Sequence, residues 1–565
     1  MKVVIVGGVA GGATAAARIR RLDEKAEILI FERSGYISYA NCGLPYYIGR
    51  VIPRREDLTL QTPRSFYDRF RIQVKVRHEV TALHPEEKMV TVKNLETGEE
   101  FRESYDKLLL APGAKPLKPP FEGNDLEQVF TLRTVEDTFK IHDYIQSHHP
   151  KSAVLAGGGF IGLEMAENLR ELGMEVTIVQ RGSQLMPPFD QDMAAYIQAE
   201  MRRHGVNLAL DRSVEGLRPK EGGVEVLLKD APSLYGDMVI LAMGVTPDSK
   251  LAREAGLALG MRDSILVNDR METSQPDIYA VGDAVQVKHF VTGEDALIAL
   301  AGPANRQARI AGDNICGGDS RYTGSQGSSI LKVFDLTAAA TGLNQRAASR
   351  LYDTERVILS PMNHAGYYPG GRNMTLKVVF DRESHKVLGA QIVGYDGVDK
   401  RIDVIATAVR AGMKIQDLAE LDLAYAPPYS SAKDPVNMAG FIGENLIQGI
   451  VKQWGLEALP ALMDNPGVTL VDTRTPGEYA GGHIPGFVNI PVDELRQRLG
   501  EIPEGKPVYL ICQSGLRSYL ASRILAGLGW EVYNFPGGYG YYETVTRERC
   551  LVEQSLPCGM EKPQE

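Results

Sequence analysis

Two strand–glycine–helix units in the first half of the chain constrain its fold more than any other feature. In the first unit, the apolar run VVIVGG leads into GATAAARIRRLD and then into EILIFER. In the second, SAVLAGGGFIG leads into LEMAENLRELGM and then into EVTIVQR. A strand, a helix and a second strand in this order are typical of a βαβ unit with parallel strands. The sequence therefore predicts an α/β protein with two Rossmann-like nucleotide-binding domains.

The remaining sequence predicts two further domains. A chain of 565 residues is long enough for about four domains. The segment TLKVVFDRESHKVLGAQIVG has the strand–turn–strand pattern of an antiparallel α+β interface domain, and a compact α/β stretch follows it. The predicted boundaries are 1–112 and 246–323 for a discontinuous first nucleotide domain, 113–245 for the second, 324–445 for the interface domain, 446–459 for a linker, and 460–565 for a C-terminal α/β domain with a tail.

Composition excludes several classes of protein. Hydrophobic residues make up 44% and charged residues 24%, which is typical of a globular chain. The net charge of −10 provides no overall basic field for nucleic acid or an anionic membrane, so an anionic ligand requires a local basic pocket. Five scattered cysteines without a CxxC pair argue against a disulfide framework, a metal site or an iron–sulfur cluster. No apolar run reaches 18 residues, and we expect a cytoplasmic protein.

The first glycine loop, Gly7 to Gly12, lies directly between a strand and a helix. Amides at a helix N-terminus attract anions, and glycines let a pyrophosphate approach the backbone. Glu32 follows Gly12 by 20 residues, the spacing of a carboxylate that binds an adenosine ribose, although Val9 replaces the middle glycine of G-x-G-x-x-G. YAVGDA resembles the flavoprotein motif whose aspartate binds the ribityl chain, and LAPG resembles the link between two nucleotide domains. The predicted FAD site comprises Gly7, Gly8, Gly11, Gly12, Glu32, Arg33, Ala111, Pro112, Gly113, Gly282 and Asp283.

The second glycine loop, GGGFIG, matches G-x-G-x-x-G in full. Gln180 and Arg181 stand where an NAD-selective acid is usual, which leaves NADH and NADPH both open. Phe160 could cover the flavin until a nicotinamide displaces it, or it could be a packing residue. The predicted nicotinamide site comprises Gly157, Gly159, Phe160, Gly162 and Gln180.

Cys42 lies in SYANCGLP, shortly after the second strand of the first unit. In this layout its thiol is expected beside the flavin. A thiol without a partner cysteine accepts electrons only through a sulfenic acid or a mixed disulfide, so an internal dithiol mechanism is excluded. The structural alternative is a buried, inert cysteine.

Over roughly residues 1–445 the chain resembles the single-cysteine branch of the pyridine-nucleotide disulfide oxidoreductases. The NADH oxidases and peroxidases of this branch carry a histidine near the first glycine loop, where this chain has Val9 and Ala10. SYANCGLPYY, NHAGYYPGG and LAYAPPYSSAKDP instead resemble the coenzyme A disulfide reductases. In that family the last two segments come from the partner subunit, which implies a homodimer in which Tyr367 and Tyr425 approach Cys42 and protonate a departing thiolate. The basic face of the first helix and the resemblance together imply coenzyme A contacts at Thr14, Arg18, Arg21, Ser38, Asn41, Arg71, Asn305 and Lys433.

The C-terminal region resembles a rhodanese domain over roughly residues 460–550. It contains VTLVDTRTPGEYAGGHIPGFVNIP followed by VYLICQSGLRS. The loop from Cys512 to Arg517 lies between a strand and a helix, so its amides can point at one anionic sulfur and stabilise a persulfide. Arg517 would fix this loop or contact the donor sulfur, and we expect structural roles for Asp472, Arg474 and Glu478.

Together these features predict an NAD(P)H-dependent flavoenzyme that reduces coenzyme A disulfide, coenzyme A persulfide and polysulfide. Electrons would pass from NAD(P)H through FAD to a mixed disulfide of Cys42 with coenzyme A, while Cys512 carries sulfane sulfur and hydrosulfide is released. Two alternatives stay open: a sulfur carrier whose flavin half senses redox state, and a minor oxidase or peroxidase activity. Whether coenzyme A is a substrate or a bound arm, and the direction of sulfur flow, also stay open.

Overall fold

The computed structural model describes residues 1–553, which form two compact units. The first unit contains residues 1–181 and 205–327, and the second contains 182–204 and the described chain from residue 328 onward. Residues 182–204, inside the predicted second nucleotide domain, thus group with the C-terminal half. Cys558 and the rest of the predicted tail lie outside the described residues.

The first unit contains two five-stranded parallel sheets. The strands KVVIV and EILIFE are buried along almost their whole length, as strands covered on both faces of a parallel sheet are. These sheets confirm the predicted α/β fold class. The first sheet has the order Ile278–Ala280, Lys107–Leu110, Lys2–Val6, Glu27–Glu32, Gln73–Val76, and the second has the order Val129–Phe130, Met238–Leu241, Ser152–Ala156, Glu175–Gln180, Val206–Leu210.

Helices and short sheets surround the two parallel sheets. The small residues of the helix Ala10–Leu22 allow close packing, and the helix Ala301–Ile315 lies against it. The remaining helices are Leu44–Ile48, Pro63–Phe70, Val135–His148, Phe160–Glu171 and Lys250–Glu254. The short sheets pair Ile37–Tyr39 with Thr59–Gln61; His78–His84, Met89–Asn94 and Glu100–Ser104; Ala114–Pro116 with Val245–Pro247; Val214–Lys220, Gly223–Leu228 and Leu234–Gly236; and Ile265–Leu266, Val285–Lys288 and Asp295–Ala296.

The second unit begins with a five-stranded antiparallel sheet. The predicted strand–turn–strand segment forms two adjacent strands of this sheet, Met374–Asp381 and Val387–Gly394. The sheet has the order Ser329–Val333, Leu336–Gly342, Val387–Gly394, Met374–Asp381, Thr354–Leu359. The helices of this part are Gln191–Arg203, Gln345–Ala348, Val398–Ala411 and Pro435–Ile447.

The C-terminal domain of the second unit is built on a five-stranded parallel sheet. Residues Lys452–Gln453, inside the segment predicted as a linker, form its edge strand, and the adjacent Trp454 is buried with its indole nitrogen donating to Leu510 O at 3.2 Å. The strand order is Lys452–Gln453, Val532–Asn534, Val508–Ile511, Thr469–Asp472, Val488–Asn489, and the helices are Leu459–Met463, Pro476–Ala480, Leu516–Gly527 and Gly538–Glu553. Among residues 1–553, none of the helices combines the length and apolarity that a membrane span requires.

A buried ion-pair cluster explains why the helix Gln191–Arg203 belongs to the second unit. Lys377, on the antiparallel sheet, lies 3.1 Å from Asp190 and 2.7 Å from Asp192 at the start of this helix. Tyr541, on the last helix, donates a hydrogen bond of 2.7 Å to Asp192. Buried charges are tolerated only when they are paired, so these contacts join three distant chain segments.

Candidate functional site

The first glycine loop forms a cradle that excludes side chains. A Cβ atom at Gly7 would overlap the carbonyl oxygen of Ala111, and one at Gly12 would overlap that of Gly7. One at Gly11 would lie 2.9 Å from Val281 Cγ2. The backbone at these positions can therefore approach a ligand closely.

Glu32 is anchored directly behind this loop. Its carboxylate is buried and accepts hydrogen bonds from the amides of Gly8 and Ser34, both at 2.8 Å. A carboxylate has about four acceptor sites, so Glu32 retains capacity for a ribose hydroxyl. The neighbouring Arg33 is exposed and forms an ion pair of 2.9 Å with Asp248.

Asp283 lies just beyond the strand Ile278–Ala280 of the same sheet. Burial raises the pKa of its carboxyl, and the guanidinium of Arg133, 3.7 Å away, partly opposes this effect. Arg133 also donates to Ala114 O at 2.9 Å, beside the predicted residues Ala111, Pro112 and Gly113. The glycine cradle, Glu32 and Asp283 are a donor and acceptor set that fits FAD.

The second glycine loop repeats this arrangement. Gly157, at φ 118°, faces the carbonyl of Ala242 so closely that a Cβ would overlap it. The amide of Gly158 donates to the side-chain oxygen of Gln180 at 3.0 Å, just as that of Gly8 donates to Glu32. Gln180 is an uncharged amide and exerts no charge repulsion on a 2′-phosphate. A Cβ atom at Gly162 would overlap the carbonyl oxygen of Gly157, whereas one at Gly159 would meet open space. Phe160 is half-buried at the start of the helix Phe160–Glu171.

Cys42 lies in a short helical turn, Asn41–Gly43, within the first unit. The residue is exposed, but the protein atoms around its thiol raise the pKa by burial. The charges of Glu164 and Asp283 raise this pKa further, whereas Arg133 lowers it. The structure thus brings the predicted redox cysteine within electrostatic reach of the predicted flavin aspartate.

Glu164 is a site residue that sequence reasoning missed. It lies on the helix Phe160–Glu171, and burial, with a contribution from Glu167, raises the pKa of its carboxyl to about 7. The signal in the sequence was a carboxylate two residues after Gly162, among the apolar residues of a helix that follows a glycine loop.

Replacing Glu164 by glutamine should change the reactivity of Cys42 only at higher pH. The carboxyl of Glu164 is neutral well below pH 7 and charged above it, and this charge raises the pKa of the Cys42 thiol. We therefore expect Cys42 to be alkylated severalfold faster in Glu164→Gln than in the unmodified protein above pH 7. Below about pH 6 the two proteins should react at the same rate. The rate is measured with iodoacetamide and peptide mass analysis. Glu171→Gln, at the exposed end of the same helix, is the control; equal rates for Glu164→Gln and this control at high pH would contradict the prediction.

The predicted tyrosines lie side by side in the second unit. The hydroxyl oxygens of Tyr367 and Tyr425 are 2.9 Å apart, and this hydrogen bond raises the pKa of Tyr367. Tyr367 and Tyr425 are 76% and 46% exposed, respectively. The pair is thus accessible at the surface of the second unit.

Arg401 connects the two segments that carry these tyrosines, and sequence reasoning missed it. The residue is 1% exposed, and its Nη2 donates to Asn363 O at 3.0 Å, Ser430 Oγ at 3.1 Å and Asp434 Oδ2 at 3.0 Å. Asp434 also caps the helix Pro435–Ile447 by accepting from the amide of Val436. In the sequence, Arg401 is one of several charged residues on a helix and carries no sign of burial.

The structure brings together some of the predicted coenzyme A contacts. Thr14 donates a hydrogen bond of 2.6 Å to Asn305, while Arg18 forms an ion pair of 2.5 Å with Asp313, which compensates its charge. Arg21, Asn41 and Arg71 are exposed and Ser38 is half-buried in the same unit, whereas Lys433 is exposed in the second unit.

The Cys512 loop holds its sulfur beneath the start of the helix Leu516–Gly527. Cys512 is fully buried, and its Sγ receives hydrogen bonds from Gly515 N at 3.1 Å and Ser518 Oγ at 3.3 Å. The curl of the loop needs φ 97° at Gly515, which glycine adopts readily. Donors aimed at a sulfur beside a helix N-terminus stabilise its anionic form.

Arg517 and Glu478 form an ion pair at the edge of this loop. The two guanidinium nitrogens Nη1 and Nη2 each lie 2.7 Å from a carboxylate oxygen. Hydrogen bonding from Arg517 is the main cause that lowers the pKa of Glu478 to about 2. Arg517 thus fixes the loop to the preceding motif, one of the two roles predicted for it.

Family models match three consecutive parts of the chain. Residues 1–308 match pyridine nucleotide-disulphide oxidoreductase, which is more than half of the 565 residues. The chain belongs to the pyridine nucleotide-disulphide oxidoreductase family. It is therefore an oxidoreductase, and its family implies FAD and a nicotinamide nucleotide. Residues 328–435 match the dimerisation domain of this family and residues 456–544 match a rhodanese-like domain, which confirms both predicted resemblances.

Relatives resemble both the oxidoreductase region and the whole chain. A coenzyme A disulfide reductase of Staphylococcus aureus is 38% identical over 441 residues, which are 78% of this chain and 99% of that protein. The crystal structure of reduced Bacillus anthracis CoADR-RHD has a TM-score of 0.94 at 49% identity and covers 97% of this chain and 98% of that one. A structure of an NAD-dependent persulfide reductase from A. fulgidus has a TM-score of 0.91 at 37% identity, and the match covers 96% of this chain and 100% of that one.

Proposed function

We propose that this protein uses NAD(P)H to reduce sulfur bound to coenzyme A, as the disulfide or the persulfide, and that polysulfide is a further substrate. The observation that carries the proposal is the exposed Cys42 in the turn Asn41–Gly43, in the unit that contains both glycine cradles. The names of the relatives, a coenzyme A disulfide reductase and a persulfide reductase, support the same substrate class. FAD would be held by the first cradle with Glu32 and Asp283, and the nicotinamide nucleotide by the second with Gln180.

Cys42 acts as the nucleophile in this proposal. Cys42 is a free thiol, as are Cys316 and Cys512. The Cys42 thiolate attacks coenzyme A disulfide, forms a mixed disulfide and releases one coenzyme A thiolate. Bound FAD would supply the electron pair, drawn from NAD(P)H, that restores the Cys42 thiolate and releases the second coenzyme A.

The remaining predicted residues bind coenzyme A and donate protons. In a homodimer, the hydrogen-bonded pair Tyr367 and Tyr425 of the partner would donate a proton to the departing thiolate. Thr14 and Asn305, already in contact, would bind the ligand together with the exposed cations Arg21 and Arg71, and in a homodimer Lys433 of the partner subunit would join them. Cys512 would carry sulfane sulfur as a persulfide, and hydrosulfide would be the product.

A comparison of electron acceptors tests the proposed function. Purified protein is mixed with NADH or NADPH and with coenzyme A disulfide, coenzyme A persulfide or hydrogen peroxide. We expect both coenzyme A compounds to be reduced at least about tenfold faster than peroxide. In the proposed reaction Cys42 attacks a sulfur–sulfur bond, and the site provides a proton donor and binding groups for the coenzyme A thiolate that leaves. Sulfide release and nicotinamide absorbance are the readouts. Faster reduction of peroxide, or sulfur transfer from thiosulfate to cyanide with no consumption of nicotinamide, would contradict the proposal.

A further inference from the structure

Two arginines lie at the Cys512 loop, Arg517 at its end and Arg474 beside it, and both are already paired with carboxylates. Arg517 is held by both oxygens of Glu478, each at 2.7 Å. Glu478 is fixed in turn by the amide and the hydroxyl of Thr475, both at 2.9 Å. Because the pKa of Glu478 is about 2, its charge opposes that of Arg517 at every physiological pH.

Arg474, the second arginine, is buried and paired with the buried Asp472. Its Nη2 lies 2.7 Å from Asp472 Oδ2 and also donates to Gly482 O at 2.7 Å. Its Nη1 is 3.4 Å from the side-chain oxygen of Gln513, the uncharged residue that follows Cys512. The positive charges at this loop are therefore compensated before any ligand arrives.

The remaining groups suit one anionic sulfur beside an apolar surface. Gly515 N and Ser518 Oγ both donate to Cys512 Sγ, which supports a single negative charge at that atom. Leu516 and Leu520 begin the following helix and are 63% and 46% exposed. Their spacing of one helical turn places both on the same face, at the edge of the loop.

We propose that Cys512 accepts sulfane sulfur from thiol persulfides in preference to thiosulfate. Thiosulfate carries two negative charges close to the transferred sulfur, and with both arginines compensated one of these charges would be desolvated without a counterion. A thiol persulfide brings at most one charge to the sulfur, and its carbon chain can contact Leu516 and Leu520. The inference rests on the proposed role of Cys512 as a sulfur carrier and names the donor class of that site.

The transfer needs no external oxidant or reductant. The Cys512 thiolate attacks the outer sulfur of R–S–SH, and a new sulfur–sulfur bond forms on Cys512. The bond between the two donor sulfurs breaks, and R–S⁻ leaves with the bonding electron pair. The proton stays on the transferred sulfur, so Cys512 ends as a persulfide and the donor as a thiolate.

Loading of Cys512 in the full-length protein tests the donor preference. The probes are thiosulfate and the persulfide of N-acetylcysteamine, an uncharged thiol. The readout is the mass increase of one sulfur atom on the Cys512 peptide, with Cys512→Ser as the blank. We expect the persulfide to load at least about tenfold faster at equal concentration. Equal or faster loading by thiosulfate would overturn the proposal. No nicotinamide is present, so failure of the reductase would leave this result unaffected.

Two variants test the charge argument directly. Glu478→Gln keeps the contacts with Thr475 but removes the charge that opposes Arg517, and Leu516→Lys adds a cation at the edge of the loop. We expect each variant to load thiosulfate about tenfold faster than the unmodified protein, whereas neither should load the persulfide faster, and Leu516→Lys, which loses an apolar contact, should load it more slowly. Leu528→Lys, an exposed position at the far end of the same helix, is the matched control and should load both probes like the unmodified protein. If Glu478→Gln disturbs the loop, both probes load more slowly, and Leu516→Lys then decides the matter. Unchanged thiosulfate loading in Leu516→Lys would overturn the proposal.

Discussion

Cys42→Ser is expected to lower NAD(P)H oxidation with coenzyme A disulfide by at least about a thousandfold, the scale of losses caused by removing a covalent nucleophile. A serine hydroxyl cannot form the mixed disulfide, and the proposal includes no second cysteine that could replace Cys42 in this step. The glycine cradles and Asp283 are untouched, so the variant should bind FAD normally. The rate is followed by nicotinamide absorbance at matched flavin content.

Cys316→Ser is the control for this variant. Cys316 is a half-buried thiol of the first unit. It directly follows the helix Ala301–Ile315 and does not belong to the short turn that carries Cys42. Its replacement should leave the rate close to that of the unmodified protein. Retention of more than about a tenth of the activity in Cys42→Ser would show that electrons reach the substrate without this sulfur.

Arg401→Met is expected to destabilise the second unit by about 3–5 kcal/mol. The substitution leaves the buried Asp434 with only the partly exposed Lys400, 3.5 Å away, as a counterion, and it removes the donors to Asn363 O and Ser430 Oγ. Denaturant unfolding of the full chain, followed by a probe in the second unit, measures the loss. The released segments also carry Tyr367 and Tyr425, so reductase activity should fall where the protein is still folded.

Two further variants separate the Arg401 ion pair from general effects on its helix. Asp403→Asn, at an exposed position of the same helix, should cost less than about 1 kcal/mol. The double variant Arg401→Met with Asp434→Asn should cost less than the sum of its two single variants, because no unpaired carboxylate is left. Additive losses would mean that Arg401 and Asp434 are not coupled.

Much of the fold and part of the candidate site followed from the sequence because their geometry is local. A strand, a tight turn and a helix are specified by adjacent residues, and Gly7, Gly157 and Gly515 have φ values of 97°, 118° and 97°. Such conformations favour glycine, so the turns are visible in the sequence itself. The same locality applies to Cys42 and Cys512, each of which lies inside a recognisable short motif.

The sequence by itself determined the α/β class and the two strand–glycine–helix segments, and it singled out Cys42 and Cys512 as the candidate reactive cysteines. Only the tertiary structure decided that Glu164 has a pKa near 7, that Arg401 is buried against Asp434, and that Arg18 is paired with Asp313. It also decided that residues 182–204 belong with the C-terminal half. The physical reason is that burial and ion pairing depend on residues far apart in the chain, and a charged side chain has the same letter whether water or protein surrounds it.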